Sequence, residues 1–188
     1  MVITFLAKKG GVGKSTISIL LYESLRRRMK DKTVAIRDWD SQGTSNTALD
    51  KISGKKAEAG EAYNVLIYDT PPSLTHTATA DAVQNADIAL VVTSPAPADI
   101  WEADQAVQFA KAQNKRAVVR LVFNKVRERT LLGRLVPKSA QGISAPMLET
   151  VLSYRECYQH AIGKGWPALD RKAREEVLEL TIAILGLK

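Results

Sequence analysis

The sequence predicts an α/β domain: a mostly parallel, twisted sheet with helices on both faces. Three observations carry that prediction. Short runs rich in β-branched and aromatic residues alternate with stretches of helical periodicity. The runs are apolar without interruption, as strands buried on both faces are. The first run leads straight into a glycine-rich loop that opens a helix. With 188 residues, 45% of them hydrophobic, the chain lies in the usual size range of one domain, and 1–188 reads as a single domain without repeats.

In chain order, Val2 to Ala7 is the first strand. From Ser15 to about Lys30, Ile17, Leu20, Leu21, Leu25 and Met29 recur at helical spacing. Arg26, Arg27 and Arg28 then complement the negative end of that helix's dipole. Thr33 to Ile36, Val65 to Tyr68, Ile88 to Val92 and Ala117 to Phe123 read as further strands, with a helix over Asp99 to Ala112. Ser41 to Ala62 is polar and poor in large apolar residues, so it reads as a mobile loop holding at most one short helix. Arg171 to Leu187 reads as a closing helix whose apolar set is Val177, Leu178, Leu180, Ile184 and Leu185.

The formal charge is +7, modest evidence for a polyanionic partner. It is unevenly spread: Lys111 to Lys138 holds nine Lys or Arg against one acid, Glu128. One cysteine, Cys157, excludes an internal disulfide framework and a four-cysteine metal site; His76 and His160 lie far apart. The opening MVITFLAKKGG has no basic segment ahead of an apolar one, and no apolar run approaches the ~20 residues of a membrane span. The expectation is a cytoplasmic chain with no integral membrane association.

The chemistry concentrates in Lys8-Lys9-Gly10-Gly11-Val12-Gly13-Lys14-Ser15-Thr16. Gly10, Gly11 and Gly13 let the backbone curl so that successive N–H groups face phosphate oxygens, and the following helix adds its positive end. Lys14 is placed to reach the β- and γ-phosphates and the Ser15 hydroxyl to coordinate Mg²⁺. The loop departs from G-x-x-x-x-G-K-[ST], because Lys8 stands where the first glycine would be. Carboxylates follow at strand ends, which face the ligand crevice of an open α/β sheet: Asp38 and Asp40 after the second strand, Asp69 after the third.

The run K-G-G-V-G-K-S-T closely resembles the deviant Walker A loop of the ParA/MinD family of P-loop ATPases. Asp38-Trp39-Asp40-Ser41-Gln42-Gly43 resembles that family's D-x-D-P-Q-G switch, with Ser41 in place of proline, and Asp69-Thr70-Pro71-Pro72 its Walker B and second switch. Ser94-Pro95-Ala96-Pro97-Ala98-Asp99-Ile100-Trp101 looks like the proline-rich segment of small plasmid ParA proteins; Trp101 reads equally well as a core aromatic. The likeness spans nearly the whole chain and is weakest between Gln42 and Ala62, where an edge strand and helix of the relatives look missing.

The resemblance implies a P-loop NTPase fold and hydrolysis of ATP with Mg²⁺. Carried over by position, Gly10 to Thr16 cradle the nucleotide, Lys14 holds its phosphates, Lys9 reaches the nucleotide of a dimer partner, and Asn124 meets adenine. Ser15, Asp38 and Asp69 serve the metal, and Asp40 orients the attacking water. The same likeness implies an ATP-driven homodimer, or a polymer built from it, that binds DNA without reading sequence. Release follows when a centromere-binding, ParB-like adaptor stimulates hydrolysis, and the protein is expected on the nucleoid. Arg129, Arg134, Arg155 and Lys164 are the candidate phosphate contacts. Competing readings are a MinD-like ATPase lying on a membrane through its last helix, and a nucleotide-gated regulator with negligible hydrolysis. The acidic run Arg174-Glu175-Glu176-Val177-Leu178-Glu179 argues against the first. A chain this short leaves little room for the second substrate of an amidoligase, and one cysteine cannot support the cluster of a nitrogenase iron protein.

Overall fold

A computed structural model describes residues 1–187. Strand β1 (Val2–Leu6) forms the middle of a five-stranded, all-parallel sheet. Around it lie β2 (Val34–Asp38), β3 (Val65–Asp69), β4 (Ile88–Thr93) and β5 (Val118–Phe123), in the order β2-β3-β1-β4-β5. Parallel neighbours need crossover connections, and helices supply them: α1 (Lys14–Arg28), α2 (Thr44–Lys51), α3 (Thr77–Gln84) and α4 (Pro97–Gln113). Two very short helices, α5 (Leu131–Arg134) and α6 (Val136–Ala140), follow β5, and then come α7 (Glu156–Lys164) and α8 (Arg171–Leu185).

Strand alternation divides the interior into two layers. Ile3, Phe5, Ile36, Ile67, Leu90 and Val122 point to one face, where α1 and α8 bury Ile17, Leu20, Leu21, Val177, Leu180 and Ile184. Leu6, Ala89, Val91, Leu121 and Phe123 point to the other, against Ala103, Ala106, Val107 and Ala110 of α4. Those small residues let α4 lie close to the sheet. Because α8 commits Val177, Leu180 and Ile184 to the core, its apolar face is not free to lie on a membrane.

Register fixes where the chemistry falls. Phe5 and Asp38 both pair with Asp69, so the carboxyl ends of β1, β2 and β3 lie level. The chain after β1 crosses to β2 at one edge and the chain after the adjacent β4 to β5 at the other, and this divergence opens a crevice at that end of the sheet.

Two expectations are corrected. The stretch from Ser41 to Ala62 holds the one short helix expected of it, α2, but is tied to its neighbours where a mobile loop was expected. Gly43, at φ 63°, turns the chain into α2, the Asn46 N–H donates to the Asp38 carboxylate at 2.9 Å, and Ser45, Ala48 and Leu49 are buried. Residues 55–57 then bond both backbone groups of Ile36, covering the open edge of β2 with a single bridge in place of a strand. Trp101 is no core aromatic, since 72% of it is exposed on the outer face of α4.

Glu23 of α1 is 1% exposed; it pairs with Arg26 and Arg27 and accepts the Trp166 N–H at 2.7 Å, tying the chain beyond α7 to the central helix. Glu23→Ala is expected to lower the free energy of unfolding by about 2–3 kcal/mol. The measurement is a drop in urea midpoint at unchanged slope.

Candidate active site

The loop after β1 is held open by its neighbours. Gly13 sits at φ 100° as the cap of α1 and offers no side chain to the helix's first N–H groups, which have no acidic residue in the first turn either. Those donors are left for an anion, where the helix dipole also favours negative charge. Two residues just past β5 brace the loop from below: Asn124 Nδ2 donates to Val12 O at 2.8 Å and Lys125 Nζ to Gly11 O at 2.6 Å. A Cβ on Gly13 would lie 2.2 Å from Asn124 Nδ2, so both the φ and the space require glycine. One of the two Asn124 amide N–H donors is therefore engaged by the loop itself. Lys125, which sequence reasoning passed over, does comparable work; its positive φ of 57° was the signal only a structure could give.

Lys14 is 6% exposed at the mouth of the crevice. Burial pulls its pKa down, and the carboxylates of Asp69 and Asp40 hold it up. Asp69 is fully buried; desolvation pushes it up to about 6 against the pull of the Ser15 and Ser45 hydroxyls and Lys14. Ser45 Oγ donates to Asp69 Oδ2 at 2.6 Å, whereas Oδ1 is buried without a well-formed hydrogen bond. An orphaned carboxylate oxygen beside the first-turn hydroxyl of Ser15 suits a hard divalent cation, and Asp38 lies level with it across the strand pair. Asp38 also shapes the following turn, accepting from the N–H groups of Asp40 and Asn46 at 3.0 and 2.9 Å. Asp40 lines the crevice itself, together with Gly10, Gly11, Gly13, Ser15 and Thr16.

The crevice measures about 860 Å³, and its far wall comes from Tyr154 and from Tyr158 and Ile162 of α7. That wall hangs on Glu176 of α8, which accepts from Ser153 N at 2.9 Å, Ser153 Oγ at 2.8 Å, Arg155 Nη2 at 2.6 Å and Tyr158 Oη at 2.7 Å. Arg155, a candidate phosphate contact, belongs to this network: its guanidinium pairs with Glu176 and lies 3.9 Å from Asp170. Lys164 is exposed but lines this same crevice, on the nucleotide side rather than within a separate basic face.

Arg129 and Arg134 lie elsewhere, on the segment leaving Lys125. Arg127, Arg129, Arg134 and Lys138 are all exposed, and no ion pair involves any of them among the described residues. Thr130 caps α5 by accepting the Gly133 N–H at 3.2 Å, and the Arg127 guanidinium stacks 4.3 Å above the Tyr154 ring. The basic segment thus touches the crevice wall.

A glycine-turned phosphate loop, a buried lysine and level carboxylates at the open end of a parallel sheet define a P-loop nucleoside triphosphatase. Residues 3–168 match the CobQ/CobB/MinD/ParA nucleotide binding domain, and the chain belongs to that family. It is a ParA/MinD-type ATPase that uses ATP with Mg²⁺. The maintenance of carboxysome distribution protein A of Halothiobacillus neapolitanus is 25% identical over 185 residues, 88% of this chain and 85% of that protein. The protein of the same name from Gloeobacter kilaueensis is 31% identical over 53% of this chain and 51% of its own. Among solved structures, a plasmid partition protein from Borrelia burgdorferi bound to AMPPNP superposes with a TM-score of 0.79 at 16% identity, covering 100% of this chain and 99% of that one. MinD of Aquifex aeolicus gives 0.75 at 19% identity, covering 98% and 96%.

Gly13→Ala is expected to weaken ATP binding at least about tenfold, because the new methyl group must displace the Asn124 brace and the backbone must leave φ 100°. Titration calorimetry with ATP and Mg²⁺ reads it, and binding at the parent affinity would show that the brace is dispensable.

Proposed function

We propose that this chain is a positioning ATPase of the partition type. ATP closes two copies into a dimer, the dimer holds DNA without reading its sequence, and an adaptor attached to the cargo stimulates hydrolysis and release. The observation that carries this reading is a juxtaposition: Asn124 and Lys125, which brace the phosphate loop, lead directly into the unpaired cations Arg127, Arg129, Arg134 and Lys138. A change at Gly11 to Gly13 has only a few residues to travel before it reaches surface charge suited to phosphates. Such charge needs no base-reading geometry, so the binding it supports is sequence-independent and salt-sensitive.

Within the site, Gly10 to Thr16 take the phosphates and Lys14 their charge. Ser15 and Asp69 would hold Mg²⁺, with Asp38 supporting its water shell. When bound, the metal supplies positive charge shared by the β- and γ-phosphate oxygens. Asp40, facing the crevice from the turn after β2, orients the attacking water; Ser41 after it leaves that turn freer than a proline would. Lys9 reaches the nucleotide of the partner copy. The names of the relatives, carboxysome distribution and plasmid partition, both describe the placing of a cargo, and they support a cargo-bound adaptor over any one kind of cargo. The same reading puts the protein on the nucleoid. Against a membrane-surface role stands the burial of the apolar face of α8; no helix among the described residues is long and apolar enough to cross a membrane.

Asp40→Ala is expected to lower steady-state phosphate release roughly a hundredfold while ATP still binds, since the cradle is untouched. Unchanged turnover would remove Asp40 from the role of positioning water. In that same hydrolysis-blocked background, Arg129→Glu combined with Arg134→Glu is expected to reduce the slope of log affinity for random duplex DNA against log salt by about 2. Sedimentation should show the ATP dimer intact. A double variant that holds DNA as its parent does would place the DNA surface elsewhere.

A further inference from the structure

Lys9 does not point into the crevice that its neighbours form. Its ammonium stands 3.0 Å from Asp99 Oδ1 in the first turn of α4, while Gly10 to Lys14 line the nucleotide side without it. Asp99 is itself fixed: its other oxygen accepts from Ser94 Oγ at 2.5 Å, and that hydroxyl accepts the Ala96 N–H at 3.2 Å. The preceding Lys8 is fastened to the same helix, donating to Gln105 Oε1 at 2.8 Å. A small cleft between the loop and α4 also holds Glu102, whose Oε2 is buried without a hydrogen-bond partner. Two successive lysines of the phosphate loop are therefore tethered to α4, and Lys9, paired with Asp99, shares a small cleft with Glu102. Both carboxylates raise its pKa, chiefly Asp99 through its hydrogen bond, so it remains a full ammonium.

We propose that the Lys9–Asp99 pair is a latch on the single chain, which ATP-driven dimerisation must open, with the first turn of α4 as the element that registers the opening. The proposal rests on the reading that Lys9 serves the partner's nucleotide. A single ammonium cannot stay at 3.0 Å from Asp99 and also bond a phosphate across a dimer interface, so the two anions compete for it. A triphosphate competes better than a diphosphate because it carries more charge, which makes the latch a contributor to the choice between ATP and ADP. Once Lys9 leaves, Asp99 and Glu102, which line one small cleft, lose that cation on the turn that carries the exposed Trp101. The state of the nucleotide thereby becomes visible on the outer face of α4.

The size of the effect follows from the exposure of the pair. Lys9 is 51% exposed and Asp99 13%, so one latch is worth about a three- to fivefold factor in an equilibrium constant. A dimer opens two latches, and the factors multiply to roughly tenfold to twenty-fivefold.

The test is sedimentation equilibrium in ATP and Mg²⁺, with Asp40→Ala as the parent. Adding Asp99→Asn is expected to lower the dimer dissociation constant roughly tenfold or more. Asp99→Ala shifts it the same way, and Asp99→Glu, which keeps the charge, returns it toward the parent value. Should either neutral variant, with the parent's urea midpoint, dimerise at the parent's constant or more weakly, the latch is wrong. A parent that stays monomeric in ATP would instead remove the cross-dimer role of Lys9, and the latch would fall with it.

Discussion

Lys14 is a cation carried almost wholly inside the protein, and burial lowers its pKa. Asp69 and Asp40, from the ends of β3 and β2, act against that by raising it, and those carboxylates in turn need compensation. Asp69 shows the imbalance most clearly: it is fully buried, has one oxygen bonded and one orphaned, and is pushed up to about 6. The residues of the site thus suit partners of both signs: an anion for Lys14 and the N–H groups at the start of α1, and a cation for Asp69. Nucleotide and Mg²⁺ together supply both, and neither alone does.

The rest of the fold serves this cluster by holding its parts level. Parallel pairing sets Phe5, Asp69 and Asp38 in one row, and the left-handed Gly13 delivers Lys14 directly above it. Each loop around the crevice is then tied to a different element: Gly11 and Val12 to the residues after β5, Lys8 and Lys9 to α4, Ser153 and Tyr158 to α8 through Glu176. A change at the loop therefore has a bonded route to several surfaces. For the proposed positioning cycle two of them matter most, the basic segment from Arg127 to Lys138 and the first turn of α4.

Much of this was legible in the sequence because it is local. Uninterrupted apolar runs, helical periodicity and glycines at 10, 11 and 13 are properties of short windows, and the strands and long helices lie where those windows put them. What was not legible depends on distant partners. Arg155 reads as a free cation until Glu176, 21 residues on, is seen to neutralise it. Ser41 to Ala62 reads as mobile because its composition is polar, yet a left-handed Gly43, capping by Asp38 and two backbone bonds to Ile36 order it. Trp101 has the composition of a core residue and the position of a surface one, a distinction that only the packing of Ala103, Ala106 and Ala110 against the sheet resolves.

On the proposed function, the nucleotide in this crevice governs the charge presented to DNA. The direct test is equilibrium binding of the wild-type chain to random-sequence duplex DNA with ATP, with ADP and without nucleotide, each across a salt series in Mg²⁺. Tight, salt-sensitive binding with ATP alone is expected, the salt slope counting the phosphates engaged. Binding that is equal in all three states, or absent in all of them while ATP remains bound, would contradict it.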